Sequence, residues 1–243
     1  MPAEQPTILA TSGGWRSGRR TPLEFHKLIH FALELSGVDG RRPRLCHVGT
    51  AGGDQRSMNA NVVEAGAVAG VDVSILNLFT MPPTDDLEDY VLSNDVVWVG
   101  GGSVANLLAV WEVHGLGEVF RTAWQAGVVL SGVSAGSICW HAGGATDSFG
   151  PDLRVVTNGL GFLPYGNGVH YDSEEQRRPK IHEAVATGVL PMTYCTDDGV
   201  GLLYRGTEFV EAVAERRGSG AYVVVREDSS ATAQEEKLDT RLL

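Results

Sequence analysis

The stretch Gly127-Val128-Val129-Leu130-Ser131-Gly132-Val133-Ser134-Ala135-Gly136-Ser137 decides how the chain is read. Its first half is a compact apolar, β-branched run of the kind buried on both faces of a parallel sheet. Its second half is G-x-S-x-G, the strand-to-helix elbow in which a tight turn lifts a serine hydroxyl clear of the sheet. The small neighbours serve that geometry, because a bulky side chain would clash where the chain turns. Ser137 to Trp140 is read as opening a helix whose N-terminal amides favour a developing oxyanion.

Working outward, the same rhythm of short β-branched runs and longer helical periods recurs. Strands are expected at 6–11, 44–48, 71–78 and 95–99, and helices at 21–35, 58–70, 85–92, 104–114 and 116–125. Such alternation predicts an α/β fold, with helices packed on a mostly parallel sheet. From Gly143 to Ser173 the wealth of glycine, proline and aspartate reads as loops over a site, and 174–187 as a helix interrupted near Pro179. Segments 193–204, 208–215 and 221–225 fit strands and hairpins closing the sheet. One domain over 1–225 is expected, followed by a polar, mobile tail over 226–243.

With 19 basic against 30 acidic residues, the 243-residue chain carries a formal charge of −11, which disfavours phosphate backbones and anionic lipid as partners. No apolar run reaches the ~18–20 residues of a membrane span, and the first residues lack the basic and apolar regions of a signal peptide, so a cytoplasmic protein is expected. Cys46, Cys139 and Cys195 are odd in number and form no C-x-x-C pair, so neither a disulfide framework nor a cysteine zinc site is expected.

A serine hydroxyl needs a base and a group that orients the base. Of seven histidines, His26, His30 and His114 fall in helical segments, His47 in a strand, and His141 two turns along the expected elbow helix. His170, in the loop-like Gly168-Val169-His170-Tyr171-Asp172, is the better base, with His182 second. Spacing alone leaves the acid open between Asp147 and Asp197–Asp198; Asp172 is two residues from His170 and is not preferred. Gly100-Gly101-Gly102 ends the strand before the elbow strand, so both loops emerge at one carboxyl edge of the sheet. An amide of that turn, from Gly101 or Gly102, together with the amide of Ala135, makes a two-donor oxyanion hole.

Val99-Gly100-Gly101-Gly102-Ser103 with Asn106-Leu107-Leu108, then Gly132 to Ser137, then a loop histidine at His170, resembles the S51 serine peptidases, a family that includes dipeptidase E and cyanophycinase. The resemblance implies a class I glutamine-amidotransferase-like (flavodoxin-like) fold with helices on both faces of the sheet. It implies Ser134 as nucleophile, His170 as base and no metal or organic cofactor. Similarity to dipeptidase E implies Asp147 as the acid, whereas similarity to cyanophycinase, whose acid follows the histidine, implies Asp198. Similarity to dipeptidase E, which cleaves after an N-terminal aspartate, implies an arginine beyond the histidine that reads that carboxylate. Here Arg177 and Arg178 stand there, preceded by Glu174 and Glu175, which would repel a carboxylate or bind a free amine. The expectation is a serine exopeptidase acting on a small peptide, as a monomer or homodimer. The rivals are a cyanophycinase-like or isoaspartyl hydrolase, an α/β-hydrolase esterase and a non-catalytic binding protein of the same fold. A glutamine amidotransferase is disfavoured because its elbow nucleophile is cysteine, and Cys139 lies five residues beyond Ser134.

Overall fold

The computed structural model describes residues 3–227 and 232–243. In chain order the first elements are β1 (Thr7–Thr11), β2 (Trp15–Ser17), β3 (Leu23–Phe25), α1 (Lys27–Leu35), β4 (Arg44–Val48), α2 (Arg56–Ala69), β5 (Asp72–Leu76), α3 (Leu87–Leu92) and β6 (Val96–Val99). There follow α4 (Val104–His114), α5 (Leu116–Gln125), β7 (Val129–Val133), α6 (Ala135–Ile138), β8 (His141–Thr146), β9 (Arg154–Val156), β10 (Leu163–Gly168) and α7 (Arg177–Ala186). The chain ends with β11 (Thr193–Thr196), β12 (Val200–Arg205), β13 (Glu208–Ala214), β14 (Ala221–Arg226), β15 (Ala233–Leu238) and β16 (Thr240–Leu242).

These strands build two large sheets instead of one. The first runs β16-β13-β12-β1-β7-β6-β4-β5, and its β1, β7, β6, β4 and β5 are parallel. Alternate residues of its strands face opposite sides: Leu9, Val96 and Trp98 pack with α1 and α2, whereas Ile8, Ala10, Val97 and Val99 pack with α4 and α5. Both faces are thus covered, which is why β6 is apolar throughout and why the one hydroxyl within β7, on Ser131, donates to Leu9 O at 2.6 Å.

The second sheet, β15-β14-β11-β10-β8-β9, takes half of its strands, β8, β9 and β10, from in and beside the Gly143–Ser173 run whose composition predicts loops. Its glycines are there because the strands lie against each other without room for a side chain. A Cβ on Gly143 would lie 2.9 Å from Thr157 Cα, and one on Gly168 would lie 2.8 Å from Cys195 Sγ. α7 covers this sheet through Ile181, Ala184 and Val185. Pro179 does not interrupt α7, because it falls in the first turn, where the missing N–H has no intrahelical partner to lose.

Two further expectations change. The helix expected from 21 begins only at Lys27, because Trp15–Ser17 and Leu23–Phe25 pair as a hairpin, stitched by Arg16–Glu24 at 2.9 Å. The tail is not free: β15 pairs with β14 over six residues and β16 pairs with β13, with 228–231 outside the described residues. Its low apolar content misled because edge strands are held by ladder hydrogen bonds and charge pairs, which need little apolar area. No helix among the described residues is long and apolar enough to cross a membrane.

Candidate active site

Ser134 follows β7 at φ 58° and ψ −112°, the strained turn that the glycine spacing predicts. Both flanking glycines are required by close approach. A Cβ on Gly132 would lie 2.7 Å from the Val99 carbonyl oxygen, and one on Gly136 would lie 2.8 Å from Val99 Cβ. The turn is tied to β1: Ser134 N–H donates to Thr11 O at 3.0 Å and the Thr11 hydroxyl donates to Gly132 O at 2.9 Å. The helix after it, α6, has only four residues, so an oxyanion here would be met by individual amides more than by a macrodipole. Ala135, Gly101 and Gly102 offer such amides, with no acceptor among the described residues, while Gly100 N–H is taken by Val48 O at 3.0 Å.

His170 comes from the other sheet. It follows β10, and β10 lies between β8 and β11, parallel to both, so the residues after these three strands meet at one carboxyl edge. Asp147 follows β8, Asp198 follows β11, and His170 stands between them. The imidazole turns to Asp198, with Nδ1 to Oδ1 at 2.6 Å. Asp147, the first choice from sequence, forms no bond to it. Strand order brings both carboxylates to His170, and the direction in which the imidazole turns, invisible in the sequence, pairs it with Asp198.

Asp198 is itself held: its N–H donates to Asp172 Oδ1 at 2.8 Å, and Asp172 lies 3.6 Å from the Arg216 guanidinium. Burial pushes the Asp198 pKa up, but hydrogen bonds from His170 and Ser173 and the charges of His170 and Arg216 outweigh it and hold the carboxyl below its ordinary range. The neighbouring Asp197 has a structural place, accepting from Gly220 N–H at 2.8 Å.

Ser134 and His170 line one cleft of about 430 Å3 with Gly102, Asp147, Glu174 and Arg177. No hydrogen bond joins Ser134 and His170 among the described residues, and such bonds often close only around substrate. Asp198 fixes Nδ1, which leaves Nε2 free for a proton. Arg177 is only 4% exposed; it donates to Ala145 O, and its Nε has no partner. Burial pushes the Arg177 pKa down against the opposing pull of Glu174 and Asp147. Arg178 is not in the cleft. Its guanidinium pairs with Glu235 and lies 4.3 Å from the Tyr171 ring centroid, so the structure gives it a packing role.

The remaining histidines are used elsewhere. His141 opens β8 and not a helix; it is fully buried, with Nδ1 2.9 Å from Ser137 O, and burial, partly offset by that carbonyl, pushes its pKa down to about 4. His182, the second choice as base, pairs with Glu235 at 3.0 Å. The Cys139 thiol is buried, and desolvation raises its pKa well above the ordinary value, away from nucleophile chemistry. Sequence reasoning missed Ser12: its hydroxyl accepts from His170 N–H at 3.2 Å and lies 2.6 Å from Thr196 Oγ1, bridging the two sheets under the site. The available signal was a small polar residue directly after the first strand.

The pattern of peptidase family S51 matches residues 8–212. The chain is 37% identical over 218 residues to the uncharacterized peptidase YgaJ of Bacillus subtilis (strain 168), covering 90% of this chain and 91% of that one. In fold it is similar to a peptidase from an acI-B1 Actinobacterium, with TM-score 0.70 and 14% identity over 98% of this chain and 96% of that one. It is also similar to a protein from Listeria monocytogenes EGD-e assigned as a peptidase E, with TM-score 0.58 and 16% identity over 84% and 96% of the two chains. By the family pattern over residues 8–212 and by its 37% identity to YgaJ, the chain belongs to peptidase family S51.

Proposed function

We propose that this peptidase is a serine exopeptidase that releases the N-terminal residue from dipeptides or short peptides, on a class I glutamine-amidotransferase-like core. The reading is carried by one observation: an elbow serine and a histidine whose Nδ1 is held by Asp198 at 2.6 Å line the same cleft. Ser134 Oγ attacks the scissile carbonyl while His170 Nε2 takes its proton. The oxyanion receives hydrogen bonds from Ala135 and from Gly101 or Gly102. His170 then protonates the leaving amine as the C–N bond breaks, and water, activated by the same imidazole, hydrolyses the acyl-enzyme. Asp198 holds the tautomer and stabilises the imidazolium.

Asp147, lacking a bond to His170, becomes a recognition group. With Glu174 it offers acceptors to a free N-terminal ammonium, which favours an exopeptidase over an endopeptidase. Arg177, with its unpartnered Nε, would take a carboxylate, so an acidic first residue is the preferred one. The test is hydrolysis of Asp-X, isoAsp-X, Met-X and Leu-X dipeptides by wild type and Ser134→Ala. Serine-dependent cleavage, reduced at least ~10³-fold by the substitution, is expected; equal rates would overturn the mechanism.

A second reading, a hydrolase of β-linked aspartyl or polymeric substrates, is favoured by the acid following the histidine, as in cyanophycinase. Faster cleavage of isoAsp-Leu than of Asp-Leu would select it. In the first reading the partner is a small peptide, and in both the enzyme works in the cytoplasm as a monomer or homodimer.

A further inference from the structure

The glycine turn beside Ser134 has a second side. Gly100, Gly101 and Gly102 also line a separate cavity of about 390 Å3, whose other walls include Trp15, His47, Met58, Asn59 and Val133. Gly102 borders both spaces. A Cβ built on Gly101 would lie 3.3 Å from Ser134 Cβ, so a single residue separates this cavity from the nucleophile.

Two buried polar side chains in its wall have unmet hydrogen-bonding capacity. His47 is 2% exposed, and neither ring nitrogen makes a hydrogen bond of ordinary geometry, although the Trp98 backbone interacts with the ring. Asn59 is 8% exposed; its amide nitrogen donates to Asn77 Oδ1 at 2.8 Å, but its Oδ1 accepts nothing. Orphaned polar atoms at this depth are costly and are normally matched by water or ligand. Burial pushes the His47 pKa down to about 4, the Trp98 carbonyl offsetting it only in part, so the ring is neutral at ordinary pH. Trp15 packs edge-on to His47 with centroids 6.4 Å apart, and Trp15, Met58 and Val133 supply apolar wall. No lining residue is charged while His47 is neutral, in contrast to the cleft of Asp147, Glu174 and Arg177.

We propose that this cavity is the subsite for the leaving residue, and that it takes a neutral apolar or aromatic side chain, with Asn59 and His47 offering hydrogen bonds to a phenol or indole at its tip. The proposal rests on the exopeptidase reading. If the charged cleft holds the N-terminal residue, the residue across the scissile bond leaves by the opposite side of the glycine turn, where this cavity lies. A charged leaving side chain would lose its water there without gaining a counter-charge.

Two measurements test it. Dipeptides sharing one first residue and ending in Leu, Tyr, Asp or Lys are compared by kcat/KM; Leu and Tyr should exceed Asp and Lys at least ~10-fold, a discrimination typical of an apolar pocket. Met58→Trp, which narrows the cavity, should reduce that ratio several-fold. Independently of cleavage, Ser134→Ala protein is titrated with free L-leucine, L-tyrosine, L-aspartate and L-lysine while tryptophan fluorescence is read. A saturable change with L-leucine and L-tyrosine that disappears in Trp15→Phe supports the subsite. No preference among the dipeptides, a ratio unmoved by Met58→Trp, or no Trp15-dependent signal would overturn it. If no dipeptide is cleaved, the exopeptidase reading fails by itself, and the amino-acid titration still decides whether the cavity takes such a side chain.

Discussion

Ser134 adopts a backbone conformation that costs an L-residue about 1–3 kcal/mol and persists only when its surroundings enforce it. The enforcing contacts are the hydrogen bond to Thr11 and the close passage of Gly132 and Gly136 past Val99. Gly136→Ala should therefore destabilise by about 1–3 kcal/mol through overpacking, read as a Tm fall of roughly 2–4 °C per kcal/mol, with kcat lowered because the elbow shifts. The two carboxylates beside His170 separate just as sharply. Asp198→Asn should cut kcat by about 10³–10⁴, since the imidazole loses its tautomer, whereas Asp147→Asn should act mainly on KM; steady-state kinetics of the pair check the assignment. Asp198 also imposes a sign on stability. Its folded-state pKa is depressed, so its stabilising contribution is present above the unfolded value of about pH 4. That contribution is lost as the pH falls through the lower folded value. The Tm difference between wild type and Asp198→Asn should shrink on acidification below pH ~4.

Elements near the site show where pattern and packing part company. Helices α2, α4 and α5 and strands β4, β6 and β7 lie close to their expected places, because their apolar periods match the faces they bury. The composition of the glycine-rich run after Gly143 predicts loop, yet the run supplies most of β8 and all of β10, which place Asp147 and His170. Glycine signals a close neighbour as readily as a turn, and the neighbour belongs to a distant stretch of chain. The last strands were equally hidden. Glu235 on β15 accepts from the Tyr171 hydroxyl at 2.7 Å, pairs with His182 at 3.0 Å and meets Arg178, fastening the helix that carries Arg177. Burial raises the pKa of Glu235, but hydrogen bonds from His182 and Tyr171 and the Arg178 charge outweigh it and hold it low. Glu235→Ala should lower stability by about 1–3 kcal/mol, seen in thermal melts. It should also raise KM for substrates with an acidic first residue more than it lowers kcat.

At the scale of the molecule, the site is divided between two sheets. Ser134 and the glycine turn end strands of the first, His170 and Asp198 end strands of the second, and Ser12 joins them through Thr196 and the His170 amide. Ser12→Ala leaves both partners unsatisfied in a buried place. It should cost about 1–3 kcal/mol and lower kcat with little change in KM, as kinetics and melts of the same preparation would show.

The α/β class, the elbow serine and the loop histidine were legible in the sequence, because apolar period, glycine spacing and turn chemistry are local properties that neighbours in the chain decide. The pairing of His170 with Asp198 and not with Asp147, the second sheet, the anchored C-terminal strands and the neutral cavity behind the glycine turn were decided only by tertiary structure. Each depends on how strands and side chains from segments far apart in the chain pack together, for which no local pattern exists.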